Sequence, residues 1–338
     1  MKTKTGKAMI RQFSLTGLAA GSLIAFGLLT GAPASAQTEL KFGHVGNPGS
    51  LLQMSADEFA RRANERLGDG YKVVTYGSSQ LGGDKEMVQK LKLGTLDMAL
   101  PTTVMSSELD LFGIFDMPYI VKDREHMKRI EKEIFWPKIE PAAEKKGLKI
   151  IALWENGYRH ITTNKHPISK PGDLHGIKLR VPQGKWRIKM FQGYGANPSP
   201  MSFSELFSAL QTGVMDGQEN PLTQIYSAKL QEVQKYLSLS GHVYTPGYVT
   251  VGKNRYARLP EDVRKILEET ARETQAYVYE VAMQQEEELL EKLKEAGMAV
   301  NEVDKAAFVE ASKPIYEEFG KEVQGAGELI EQAIALGN

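Results

Sequence analysis

Residues 205–216 read ELFSALQTGVMD, and residues 86–97 read EMVQKLKLGTLD. The two segments share one pattern. Each opens on Glu and has apolar residues at the next two positions and at the fifth: Met87, Val88 and Leu91, then Leu206, Phe207 and Leu210. That spacing draws one apolar stripe along a helix. The eighth position is Gly94 or Gly213, where a helix C-cap adopts the left-handed conformation. Asp97 or Asp216 follows three residues on. Ser202-x-x-Glu205 adds a capping box to the second copy. Two amphipathic helices share some of this by chance, but the common glycine and aspartate offsets favour an architectural repeat. It predicts two α/β lobes, each feeding a helix into a strand that ends near a shared cleft.

The rest of the chain fits that plan. Residues 40–45 and 71–77 read as strands around a helix over 51–66. Residues 148–156 form a buried-type strand, and 159–164 and 177–182 are strands of a second unit. In IKLRVP (177–182), alternation puts Ile177, Leu179 and Val181 on one face and Lys178 and Arg180 on the other. A helix of some 37 residues starts at Pro260 and stops at Gly297. A coiled coil competes as its explanation, but the apolar spacing is not a sustained heptad, so it reads as a strut packed on both lobes. Residues 305–318 and 327–336 close the chain as two helices. The predicted organisation is a signal peptide over 1–36, lobe I from 37–156 plus 245–284, and lobe II from 157–244 plus 285–338. The chain is expected to cross between lobes near Asn156-Gly157 and near 244–247, with the long helix as a third connection.

Composition narrows the functions available. The chain has 338 residues, 41% of them hydrophobic and 25% charged, a globular composition. Formal net charge is zero and there is no long basic run, which argues against nucleic acid as a partner. Lys2, Lys4, Lys7 and Arg11 precede a largely apolar stretch over 15–29, and Pro33-Ala34-Ser35-Ala36 offers small residues in the A-x-A arrangement. This reads as a secretory signal peptide cut after Ala36, too short in its apolar run for a membrane anchor. The remaining chain carries 38 basic and 42 acidic residues, a net charge of −4. With no cysteine there is no disulfide and no thiol nucleophile. The six histidines show no metal-ligand spacing, and there is no nucleophile elbow, phosphate loop or dinucleotide fingerprint. No cofactor and no metal are expected. A scattered hydrolytic triad is the remaining enzymatic reading, since such triads are recognised by geometry.

Asp216-Gly217-Gln218-Glu219-Asn220-Pro221 continues the second repeat. A surface loop accounts for it, and so does a binding loop, with Asp216-Gly217 turning the chain out of its strand and Pro221 holding Asn220 extended. Taken with WENGYRHITTNKHPI (154–168), DLHGIKLRVP (173–182), the run from GANPSPMSF into the repeat, and EVQKYL (232–237), the chain resembles the solute-binding proteins of TRAP transporters, the tripartite ATP-independent periplasmic family, of the C4-dicarboxylate-binding type. The resemblance runs from KFGHV (41–45) to the C-terminal helices. It implies an α/β two-lobed periplasmic binding protein fold, with a cleft between lobes and a long helix crossing both. It also implies capture of a small hydroxy, oxo or dicarboxylic acid, and delivery to an ion-gradient-driven permease. The protein is then a periplasmic monomer without enzymatic activity; a receptor for a signalling partner is the alternative.

The resemblance makes Arg180 the main carboxylate clamp. A guanidinium presents a rigid fork that matches a carboxylate in two parallel bonds. From the residues alone, a surface ion pair accounts for Arg180 as well. By the same resemblance Arg159 is a second arginine near the solute, Asn220 a pocket amide that both donates and accepts, and Phe203 an aromatic packing on the solute. A solvated strand residue, a loop amide and a core ring are the respective alternatives. In the first lobe, His44 and Asn47 are candidates because GHVGNPGS (43–50) is a loop before a helix. Trp154 and Tyr244 are further candidates near the crossings, with core packing the competing account. Lys185, Trp186 and Arg187 either shape the pocket rim or simply start a helix.

Overall fold

The structure, a computed structural model, describes residues 37–337; the signal peptide expected over 1–36 lies outside the described residues. Two mixed sheets organise the chain. The first takes the order β2-β1-β3-β10-β4, with β1 (Thr38–Gly43), β2 (Tyr71–Tyr76), β3 (Met98–Ala99), β4 (Leu148–Tyr158) and β10 (Tyr244–Gly252). The second takes the order β11-β9-β5-β8-β6-β7, with β5 (His160–Thr163), β6 (Lys178–Val181), β7 (Asn197–Pro200), β8 (Gly217–Asn220), β9 (Tyr236–Leu239) and β11 (Ala299–Glu302). In each, three neighbouring strands run parallel: β2, β1 and β3, and β8, β6 and β7. Pro198 and Pro200, which donate nothing to a ladder, sit in β7 at the edge of its sheet.

The repeat is a structural one. Helices Asp84–Leu93 and Phe203–Gln211 carry the two stripes, with Met87, Val88 and Leu91 buried in one and Leu206 and Leu210 in the other. Glu86 accepts the backbone N–H of Gly83, and Glu205 that of Ser202, each at 3.2 Å. Gly94 and Gly213 then turn left-handed, at φ 72° and 73°. The shared aspartates do the same job in both lobes. An Asp97 carboxylate oxygen accepts the N–H of Lys41 in β1 at 3.0 Å, and one of Asp216 accepts the N–H of Lys178 in β6 at 3.0 Å. Each aspartate thereby pins its own strand to a parallel neighbour, Met98 to Phe42 and Gly217 to Leu179. One expectation needs correcting. Asp216-Gly217 does not turn the chain out of a strand; Gly217 begins one. A Cβ there would lie 2.4 Å from the carbonyl of Thr162, so the close approach of β5 requires glycine.

β4 and β10 pair antiparallel and connect the sheets. The chain passes from β4 to β5 at Arg159 and returns between Leu239 and Tyr244, a few residues from the crossings expected at 156–157 and 244–247. Those dipeptides mark an irregularity instead. Thr245 faces Gly157 and Pro246 faces Glu155, so Asn156 bulges opposite a residue with no N–H to donate. The helix Glu261–Glu295 has 35 residues, about 52 Å at 1.5 Å each. Val263 to Ala282 pack in the core of the first sheet, whereas Leu289 and Leu293 pack with Leu222, Ile225 and Leu237 of the second. The last helix, Ala326–Leu336, departs from the boundary drawn at 285. It packs on the first lobe, where His126 meets the Ala333 carbonyl at 2.8 Å and Lys138 donates to Gln332 at 2.7 Å.

Candidate binding site

The carboxyl ends of both parallel triplets face one cleft, the usual ligand position in open α/β sheets. From the first sheet come His44 after β1, Ser79 after β2, and Thr102 and Thr103 after β3; Asp84 opens the helix that follows β2. From the second come Arg180 in β6, Asn220 ending β8, and Met201 and Phe203 after β7. The two edges touch. A Cβ on Gly83 would lie 3.4 Å from the hydroxyl of Ser202, and one on Gly184 would lie 2.7 Å from the methyl of Thr103. Ser107 donates to the carbonyl of Gln183 at 2.9 Å. A groove of about 190 Å³ remains between Val45, Asn47 and Ser79 on one side and Phe203, Ser204 and Phe207 on the other.

Arg180 is 3% exposed although alternation placed it on a polar face. Its Nε and Nη2 both donate to the carbonyl of Met201, at 3.0 and 2.6 Å, and its guanidinium lies 5.9 Å from the Phe203 ring centroid. Among the described residues no carboxylate pairs with it. Five N–H groups less the two given to Met201 leave the Nη1–Nη2 edge open, the edge that grips a carboxylate end-on. Burial, reinforced by Arg159, pushes this guanidinium down to about 9; Glu219 and Asp84 pull the other way.

Arg159 lies deeper. Its Nε donates to Glu219 Oε2 at 2.5 Å, and its Nη2 to Glu219 Oε1 at 3.1 Å and Asn220 Oδ1 at 3.0 Å. Glu219 Oε2 also receives Arg187 at 2.8 Å and faces His242 Nε2 at 3.1 Å. Arg187 reaches Asp116 with its other nitrogen, at 2.8 Å. Burial alone would raise the Glu219 carboxyl, but Arg159 and Arg187 outweigh it and hold the group well below the usual carboxylate range. Burial lowers the His242 ring, against the pull of Glu219, and its Nδ1 lies 2.8 Å from the Ser240 hydroxyl. Asn220 donates to Gln218 at 2.5 Å, so both ends of its amide are fixed.

The structure thus brings Arg180, Arg159, Asn220 and Phe203 together and places Asn47 in the groove beside Phe203. His44 is fully buried at the first sheet's edge, with neither ring nitrogen partnered; burial lowers it to about 4, so it is neutral. Trp154 and Tyr244 lie apart from this group. Trp154 packs edge-on against Phe42 and Phe59 and donates to the Ala271 carbonyl at 2.8 Å. Tyr244 stacks edge-on with Tyr158 and donates to Glu155 at 3.2 Å. Trp186 is core, edge-on to Phe319, and Lys185 pairs with Glu322 at 3.3 Å on the surface.

Sequence reasoning missed Glu219, His242, Asp116 and Asp84, and left Arg187 unassigned. Glu219 had one legible signal. Gly217–Asn220 is a four-residue polar strand, buried throughout, at the centre of its sheet. A charged residue there requires partners of opposite sign, and Arg159 and the unassigned Arg187 are those partners. Among the described residues no cluster suited to a metal ion occurs, and no helix is long and apolar enough to cross a membrane.

The model of the family DctP, bacterial extracellular solute-binding protein family 7, matches residues 42–322. The C4-dicarboxylate-binding periplasmic protein DctP of Rhodobacter capsulatus is 33% identical over 319 residues, covering 91% of this chain and 96% of that protein. A TRAP periplasmic solute-binding protein from Polaromonas sp. JS666, solved bound to D-erythronate, is 33% identical with a TM-score of 0.84, covering 88% of this chain and 99% of that one. The sugar acid-binding protein DctPAm from Advenella mimigardefordensis strain DPN7T, solved with galactonate, is 34% identical with a TM-score of 0.83, covering 88% and 99%.

Proposed function

Because the chain belongs to bacterial extracellular solute-binding protein family 7, whose members include the TRAP transporter receptors, we propose that it captures a small organic acid in the cleft through Arg180 and delivers it in the periplasm to an ion-gradient-driven membrane permease. One observation carries the reading. Arg180 is a buried guanidinium with no carboxylate partner among the described residues and an open Nη1–Nη2 edge. Burying such a charge unpaired is costly, and a ligand carboxylate is the group that would relieve it. Arg159, held rigidly by Glu219, adds positive potential and orients Asn220 without offering a second free fork. Phe203 flanks the carboxylate, and Asn47 closes the groove from the opposite lobe.

No catalytic step is assigned to this arrangement. Its candidate base, His242, is already bonded between Ser240 and Glu219. The test is to purify the protein without added solute, identify what it retains by mass spectrometry, and titrate that acid by calorimetry. The acid should return unchanged after prolonged incubation. Retention of no carboxylate, together with no binding across a panel of organic acids, would refute the reading, and turnover would move the protein among the enzymes. Co-purification with a permease separates transport from a signalling receptor.

A further inference from the structure

The cleft is asymmetric in charge. Three buried arginines of the second lobe, Arg159, Arg180 and Arg187, stand against two buried carboxylates, Glu219 of the same lobe and Asp116 of the first. Arg159 and Arg187 are both bonded to carboxylates, so one cationic charge is left for a ligand. The charged groups acting most on Arg180 are Arg159, Glu219, Asp84 and Arg187; only Asp84 among them comes from the opposite lobe, and it is an acid. Among the described residues, the charged groups acting most on Arg180 include no cation of the first lobe. That lobe presents buried polar atoms without partners instead: Oδ1 of Asp84, Oγ1 of Thr103 and both ring nitrogens of His44. All three residues follow the parallel strands of the first sheet, at the edge where Gly83 meets Ser202 and Thr103 meets Gly184. Buried polar atoms in native proteins nearly always have partners.

We propose that Asp84 is a specificity-determining residue that selects a hydroxylated monocarboxylate over a dicarboxylate, its free oxygen accepting a ligand hydroxyl while Arg180 holds the carboxylate. The proposal rests on the reading of the cleft as an organic-acid site. Asp84 opens a helix, where an acid is often only a dipole partner facing water. Here the carboxyl is buried instead, with its second oxygen 3.4 Å from the Thr102 hydroxyl, and burial pushes it up to about 7. A dicarboxylate of four carbons would bring its second charge toward this group with no cation to receive it. A polyhydroxy acid brings hydroxyls, which both donate and accept, and so suits Asp84, Thr103 and a neutral His44 together.

The experiment is a calorimetric panel on the intact protein: D-erythronate, galactonate, butyrate and succinate, with Asp84→Asn as the variant. The wild-type protein should bind at least one hydroxy acid about tenfold or more tighter than succinate, and tighter than butyrate. Asp84→Asn keeps an acceptor but removes the charge, so the preference over succinate should shrink at least about tenfold. Ligand-induced shifts in melting temperature check that the variant is folded. Succinate binding as tightly as every hydroxy acid, or a preference unchanged in a folded Asp84→Asn, overturns the proposal while leaving organic-acid capture intact. Binding of none of these or other organic acids overturns both.

Discussion

Arg180→Ala tests the proposed carboxylate clamp. The guanidinium keeps Nε and one Nη2 hydrogen on the Met201 carbonyl and offers its remaining edge, so a bound carboxylate gains two charge-assisted bonds. Bonds to charged groups contribute about 1.5–3 kcal/mol each, and losing two weakens binding by roughly two to four powers of ten. Arg180→Lys should recover little of this, because an ammonium presents no fork and does not reach both Met201 and the ligand in one plane. Stability should move the other way. In the closed cleft without ligand, Arg180 is a buried cation held below its ordinary range by desolvation. Arg180→Met keeps much of the volume and removes the charge, so the empty variant should melt no lower than the parent while its ligand-induced shift disappears. Calorimetry and thermal melts on the three variants decide the matter. Affinity within about threefold of the parent in a folded Arg180→Ala would remove this residue from the site. A marked loss of ligand-free stability in Arg180→Met would show instead that it is a structural ion.

Glu219→Gln should be among the most destabilising conservative changes. It leaves Arg159 and Arg187 buried against a neutral amide, and breaking such a pair costs about 3–5 kcal/mol, a fall in melting temperature of roughly 5–15 °C by circular dichroism. Gly184→Ala places a Cβ 2.7 Å from the Thr103 methyl, so it should weaken binding at least about tenfold by opposing closure, and Thr103→Ser should restore part of the loss in calorimetry. Asp84 sets a pH signature of the protein with its cleft closed. Its folded pKa lies above the unfolded one, so its stabilising share is complete below the unfolded pKa near 3.8 and is lost as pH rises through about 7. Asp84→Asn should therefore gain stability over the parent between pH 4 and 7 in parallel melts, and an unchanged difference across that range counts against a buried Asp84.

The sequence made the architecture legible because the repeat encodes backbone bonds. Gly94, Gly213, Asp97 and Asp216 are each needed by a cap or a strand pairing, and such local demands leave periodic traces. The long helix was legible for the same reason, down to its N-cap at Pro260. The candidate site was legible only in its strand-borne half. Arg180 and Asn220 lie on strands whose register the motifs fix, and Arg159 immediately precedes a third. Glu219 reads as part of a polar turn because alternation fails in a strand with polar partners on both faces. Asp116 and His242 come from segments with no period at all, and only the fold brings them to Arg187 and Glu219, respectively 71 and 23 residues distant. Trp154 looked like a site residue because it ends a hydrophobic run near the crossing, yet its single donor already has the Ala271 carbonyl.

Both lobes use one backbone unit, yet Arg180, the buried arginine without a carboxylate partner among the described residues, comes from only one of them, and we propose that this holds the empty receptor open. Closing without ligand would bury the free edge of Arg180 with Asp84 as the acid acting on it from across the cleft, itself pushed toward neutrality by burial. Opening returns both groups to water. A ligand carboxylate compensates the arginine and hydroxyls satisfy the first lobe, so the ligand favours the closed state by its differential contacts there. The desolvation of Arg180 then opposes closure, and its removal should close the empty protein. The chain has no cysteine, so labels at Leu93→Cys and Val214→Cys, side chains 77% and 53% exposed at the tips of the two repeats, report the lobe separation cleanly. In the parent, pulsed spin-label distances should shorten on adding ligand. In Arg180→Met, the short distance should be populated without ligand and should not respond to it. A ligand-free Arg180→Met distribution matching that of the open parent would refute this account and place the cost of closure elsewhere.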